Sequence, residues 1–273
     1  MDTRTSTNTR MVDGKPLLTY EDLGDIIDLT LWAGQLLLQH GAETQRIEET
    51  VHRLGTGMGC NWMDIMVSSN TIVVTAISGH QFRTKLRRVP ALTINMAVID
   101  AVNTMSRRVS ARELDWLQVR AELQRISTMP LRYNRWLVVT MIALSCAAFS
   151  RLAGGDWAVF GVTFVAASTA MVVRQELTRR YFNALMIVTI TAFIAALIVC
   201  SATLLGLNAN PELAMAASVL LLVPGVPLIN AVEDLIKGHL VTGMAQSMTG
   251  ILVSACIALG LLLAIWLTGV GGV

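Results

Sequence analysis

The chain has 273 residues, 53% of them hydrophobic and 15% charged, with a formal net charge of +2 and a mean hydropathy of +0.57. So little polar side chain cannot coat a water-soluble globule, and a membrane protein is expected. The small net charge, with no basic stretch interleaved with aromatics, gives no reason to expect a nucleic-acid partner.

Most charged side chains lie before residue 136, and long apolar runs fill the rest. This divides the chain into a disordered tail over 1–19, a small α+β domain over 20–130 and a membrane domain over 131–273. The opening stretch, MDTRTSTNTRMVDGKPLLTYEDLG, contains no apolar segment of the kind a secretory signal needs, so the N-terminus is expected in the cytoplasm. In TYED, Thr19 is a predicted N-cap with Asp22 three residues on. Leu29, Leu36, Ile47 and Leu54 recur at helical spacing, which predicts one long helix or two in series over 20–58. Glu43 falls on the same stripe, partly buried or facing the membrane half, with Arg46 at i+3 within pairing reach. An ordinary solvated face is the alternative. Glu49 and His52 form a single E-x-x-H, whereas di-iron bundles need two plus further carboxylates, so no metal is expected.

DIMVSSNTIVVTAISGHQFRTKL has β-branched residues on both sides of SSN and then a Gly-His pair, which predicts two or three antiparallel strands. After Pro90 two further helices are predicted, the second capped by Ser110 with Glu113 at N3. No G-x-S-x-G, phosphate-binding glycine loop or H-E-x-x-H is present, so an enzyme is not expected. Cys60, Cys146, Cys200 and Cys256 lie far apart and read as small hydrophobes.

Five membrane spans of about 20 residues are predicted at 134–152, 157–173, 182–206, 213–235 and 244–268. Arg132 and Arg135 precede the first, and RQELTRR (Arg174 to Arg180) joins the second to the third, so both segments belong inside. The loops LAGGDW and GLNANPEL contain no Lys or Arg, although Arg151 counts against the assignment. The C-terminus is then outside, in the periplasm of a bacterial inner membrane.

The fourth span, SVLLLVPGVPLINAVEDLIKGH, is broken. Pro224 and Pro227 lack N–H donors and Gly225 permits a bend, so carbonyls are freed near the middle of the bilayer. Discontinuous helices of this kind form substrate and ion sites in secondary transporters; a plain proline kink is the alternative. Asn230, Glu233 and Asp234 follow within about two turns, with Asn230 and Asp234 on one face. They read as part of such a site or as interfacial charges. Asp234 or Glu43, if buried, is a candidate proton carrier, and Arg174 or the helix N-terminus beyond the break is a candidate donor to an anionic substrate. No cofactor is implied. A different reading is a membrane-anchored ligand-sensing or scaffold module, in which the spans only anchor.

HGAETQRIEETVHRLG and MAASVLLLVPGVPLINAVEDLIKGHLVTGMA resemble the two signature segments of the threonine/serine exporter family, ThrE, within a likeness running over about residues 25–266. The short chain and PLRYNRWL are most similar to the half-size, YjjP-type subunits. The resemblance implies export of small hydrophilic metabolites: a dicarboxylate such as succinate for a YjjP-type subunit working with a separate YjjB-type membrane subunit, threonine and serine for full-length relatives. It implies that Gly41, Glu43, Arg46 and Glu48 carry the N-terminal signature. The broken-helix signature falls on Pro224, Gly225, Pro227, Asn230, Asp234, Gly238 and Gly243. Gln246, where relatives often place an arginine, and Glu233, where many have a basic or neutral residue, depart from the pattern and alter its charge balance.

Overall fold

A computed structural model of the chain describes residues 11–12, 15–89, 93–129, 133–207 and 210–270. In chain order the elements are β1 (Met11–Val12), β2 (Lys15–Pro16), α1 (Tyr20–Gln39), α2 (Thr44–Gly57), β3 (Trp62–Ser68), β4 (Thr71–Ser78) and β5 (Gln81–Arg88). Then come α3 (Met96–Ser110), α4 (Trp116–Ser127), α5 (Arg135–Leu152), α6 (Trp157–Arg179), α7 (Ala184–Leu204) and α8 (Pro211–Ser218). A 3₁₀ turn (Leu220–Leu222), α9 (Gly225–Ile236) and α10 (Leu240–Thr268) complete the chain. Two compact units result: Met1–Pro130 with Val226–Ser247, and Leu131–Gly225 with Met248–Val273. The stretch Val226–Ser247 lies inside what the sequence divides off as the membrane half, yet it packs with the first unit.

In the first unit Thr19 caps α1 as its sequence suggests. Its hydroxyl accepts the Asp22 N–H (3.1 Å) while the Asp22 carboxylate accepts the Thr19 N–H (3.1 Å). Of the two alternatives over 20–58, two helices in series form, turned at Gly41, whose φ of +87° would strain any residue with a Cβ. Leu29, Leu36, Ile47 and Leu54 are all buried. Three strands form the meander β3-β4-β5, closed by two-residue turns between Ser68↔Thr71 and Ser78↔Gln81. Alternation along β4 buries Ile72, Val74 and Ala76 in the core that Leu37, Val51, Val102 and Leu123 share.

Two expectations need correction here. Ser110 is the last residue of α3, not a cap: Arg112 takes φ +60° and the Glu113 N–H returns to the Arg108 carbonyl (3.0 Å). Those residues close α3, so α4 starts later, on Asp115. The Asp115 carboxylate accepts the Gln118 N–H (2.8 Å) and the Gln118 side chain accepts the Asp115 N–H (3.0 Å). The tail over 1–19 is also not free where it is described. β1 and β2 pair antiparallel, and Leu18 packs on the core with its N–H donated to Ser78 Oγ (3.1 Å). Pro90 and Arg132 lie outside the described residues.

The second unit is helical, made of α5 to α8 and of α10 from Met248 onward, whereas α9 and the start of α10 belong to the first. Among the described residues four helices are long and apolar enough to cross a membrane, or five if the bent pair Pro211–Leu222 and Gly225–Ile236 is one span. Ala143, Ala147, Ala166, Ala167, Ala170, Ala192, Ala195 and Ala196 are buried where these helices meet, because small residues let backbones approach closely. Helix α6 runs to Arg179, so most of RQELTRR is helix and not connecting loop. Gln, Glu, Leu and Arg are all good helix formers, and polarity alone does not end a helix.

Candidate functional site

The helix break falls at Pro224. Val223 is extended (φ −60°, ψ 123°) and α9 restarts at Gly225. Pro227 takes no part in the break: it sits in the first turn of α9, where an N–H has no partner within the helix. Of the carbonyls freed before the break, that of Leu221 accepts a hydrogen bond from Arg174 Nη1 (2.9 Å). Arg174, expected to face an anionic substrate, is therefore engaged by the backbone of the break.

Within the first unit, α9 brings the broken-helix motif onto the corner between α1 and α2. Asn230 Nδ2 donates to the Gly41 carbonyl (2.8 Å). One turn on, Asp234 is 0% exposed. Its Oδ1 accepts the Thr44 N–H (3.1 Å), and its Oδ2 accepts the Thr44 hydroxyl (2.9 Å) and Gln246 Nε2 (3.3 Å). Thr44 opens α2, and the N-cap residue Glu43 gives that helix no side-chain cap. A carboxylate from a distant segment thus takes over the capping, and it is favoured there by the helix dipole as well. The i, i+4 spacing is what lets Asn230 and Asp234 reach the corner together. Asp234 is not a solvated interfacial charge.

Glu43 stands at this N-cap and not on the helical stripe, because the Gly41 turn resets the register. Its side chain is 12% exposed and pairs with Lys237 Nζ (3.0 Å) and, as its spacing suggests, with Arg46 Nε (3.4 Å). Glu233 points elsewhere: its carboxylate is 39% exposed and pairs with Lys237 (2.6 Å), so it does not join Asp234. Glu48 stands 3.9 Å from His239 Nδ1. Burial pushes the Glu48 carboxyl above its ordinary value, protonated His239 opposes the shift, and the negative charge of Asp234 adds to it. Gly238 turns the chain at φ +89° between α9 and α10. At Gly243 a Cβ would lie 2.8 Å from Leu235 Cγ and 3.0 Å from the Ala231 carbonyl, so only glycine permits this approach of α10 to α9.

The two signature segments therefore meet, although the sequence reading treats them as separate features. Thr44, Lys237 and His239 were missed as members of the cluster; each lies within a signature stretch, and that is the only local signal they have. Glu49 and His52 are each engaged by other groups. Glu49 accepts from Gln45 (2.7 Å) and His52 Nδ1 bonds the Met63 carbonyl (3.2 Å). Among the described residues no three His, Cys, Asp or Glu side chains converge as a metal site requires.

Several long apolar helices and one bent, interrupted pair are features of a multi-pass membrane transporter. Residues 28–268 match the family described as "Putative threonine/serine exporter", and the chain belongs to that family, whose members are transporters and not enzymes. It is 42% identical over 239 residues to a Klebsiella aerogenes protein named "Probable succinate transporter subunit YjjP", covering 86% of this chain and 91% of the relative. It is 40% identical over 247 residues to the Escherichia coli protein of the same name, covering 89% and 95%. A "Threonine/serine exporter" of Corynebacterium glutamicum is 22% identical over 259 residues, 92% of this chain but 53% of that protein. No solved structure matches the chain.

Proposed function

We propose that the chain is one subunit of a secondary exporter of small dicarboxylates such as succinate, completed by a second membrane subunit of the YjjB type in a bacterial inner membrane. In this reading the bent pair counts as one of five crossings, so the termini lie on opposite sides, and the arginines of Arg174–Arg180 and Arg135 favour a cytoplasmic N-terminus and 20–130 domain with a periplasmic C-terminus. The observation that carries the reading is Asp234, a wholly buried carboxylate ten residues beyond the helix break, tied to Thr44 and Gln246. In a transporter, a buried ionisable group on the helix that follows an interruption is a candidate carrier of the coupling proton. Protonation removes the charge that holds the Thr44 N–H and hydroxyl, so α9 loosens from the α1–α2 corner; ionisation clamps it again.

Two relatives at 40–42% identity that match this chain nearly end to end are named succinate transporter subunits, which supports the dicarboxylate. The threonine/serine exporters are 20–22% identical and this chain spans about half of each, which supports a separate second subunit.

The test is efflux from cells lacking their own exporters, loaded with labelled succinate or threonine, expressing this chain alone or with a YjjB-type subunit. Succinate efflux from the pair alone, abolished by Asp234→Asn and reduced by Asn230→Ala, supports the reading. Threonine efflux instead would reassign the substrate. No efflux of either compound from the pair would overturn the reading in favour of an anchored ligand-sensing module.

A further inference from the structure

The first unit also holds a cavity of about 280 Å³ between α1, β5 and α4, lined by residues of none of the signature segments. Asp25, Asp28, Leu29 and Trp32 reach it from one face of α1, at spacings i, i+3, i+4 and i+7. Trp116 and Arg120, one turn apart on α4, face them, and Arg87 comes from β5.

The charges in this cavity fall into two classes. Asp28 is held by Lys85 Nζ at 2.6 and 2.7 Å, and Arg87 Nη1 donates to Gln35 Oε1 (3.2 Å). Asp25 and Arg120 make no hydrogen bond or ion pair among the described residues, with each other or with any other group. Asp25 and Arg120 are exposed and border one cavity from neighbouring helices without pairing, so a ligand carrying both signs would replace water at both. A dianion would meet Asp25, and a simple cation would meet Arg120; only a zwitterion is complementary to both. Leu29 and the indoles of Trp32 and Trp116 supply apolar walls, and Trp116 remains 47% exposed. The volume is near the lower limit for small-molecule sites, which suits a ligand of about a dozen heavy atoms.

We propose that this cavity binds a free α-amino acid with a large apolar or aromatic side chain. Asp25 receives the ammonium, Arg120 assisted by Arg87 receives the carboxylate, and the two indoles enclose the side chain. The site does not depend on what the chain exports.

The experiment uses the full chain purified in detergent, titrated with L-phenylalanine by calorimetry and by indole fluorescence. Expected is saturable binding at one site, with 3-phenylpropionate, which lacks the ammonium, and phenylalanine amide, which lacks the carboxylate, each weaker by about tenfold or more, because each leaves one charge unanswered. Asp25→Asn and Arg120→Gln should each weaken L-phenylalanine to a similar degree with unchanged circular dichroism, and Trp116→Phe should keep binding while removing most of the fluorescence change. No saturable binding up to about 10 mM, equal binding of 3-phenylpropionate, or full affinity in both charge variants would overturn the proposal.

Discussion

Asp234→Asn is the sharpest test of the cluster, because the substitution keeps size and removes charge. The Asn oxygen can still accept the Thr44 N–H, and its amide nitrogen, in place of Oδ2, can donate to the Thr44 hydroxyl, while Gln246 must turn to offer its oxygen. The number of bonds survives and their charge assistance does not. Hydrogen bonds to charged groups contribute about 1.5–3 kcal/mol against about 0.5–1.5 for neutral ones, and a carboxylate at a helix N-terminus adds about 0.3–1. A net cost of about 1–3 kcal/mol follows, or roughly 5- to 150-fold in the opening of the first turn of α2. Asp234→Ala leaves a buried N–H and a buried hydroxyl without partners, at about 1–3 kcal/mol each. Hydrogen exchange measured by mass spectrometry on the full chain reads both, with peptides over 41–50 compared against peptides from α1. Exchange at 44–47 should quicken by about tenfold or more in the Asn variant and further in the Ala variant, with α1 little changed. Unchanged exchange at 44–47 in the Ala variant would refute the assignment of Asp234 as the cap of α2.

Arg174→Leu removes the donor to the Leu221 carbonyl and should destabilise the second unit by about 1–3 kcal/mol in thermal melts, with Arg174→Lys intermediate. For Glu48, a carboxyl raised by burial favours the fold while protonated; that contribution is complete below the ordinary value of 4.5 and is lost as pH climbs through the folded value. Glu48→Gln cannot ionise, so its melting temperature should equal that of the parent below pH 4.5 and exceed it at neutral pH; a constant difference across pH would contradict the assignment. Asp115→Ala should cost about 1 kcal/mol through the lost cap, whereas Ser110→Ala should be close to neutral, and melts of the two variants decide between the caps.

Periodicity made much of the fold legible. The paired helices, the meander, the apolar spans and the break at Pro224 all follow from local pattern, because burial and backbone chemistry act over a few residues. The errors arose where one local signal displaced another. At Ser110 a plausible capping box was overruled by the turn closing α3, and at Glu43 a helical stripe was cut by the left-handed Gly41. Pro227 looked like half of the break but occupies a first turn that tolerates it. Members of the cluster were visible as ionisable residues in two motifs, but their union was not, because no propensity or spacing reports that Asp234 caps a helix beginning at Thr44.

That long-range cap also sets an order of assembly. Thr44 and Asp234 are separated by 190 positions, so at translation speeds of about 5–20 residues per second the amide of Thr44 waits about 10–40 s for its acceptor to be made. During that interval α5 to α8 emerge, and the first turn of α2 has only water to bond. The amino-terminal half is thus not a module that finishes folding and then awaits its membrane helices; its last hydrogen bonds close only after most of those helices have been synthesised.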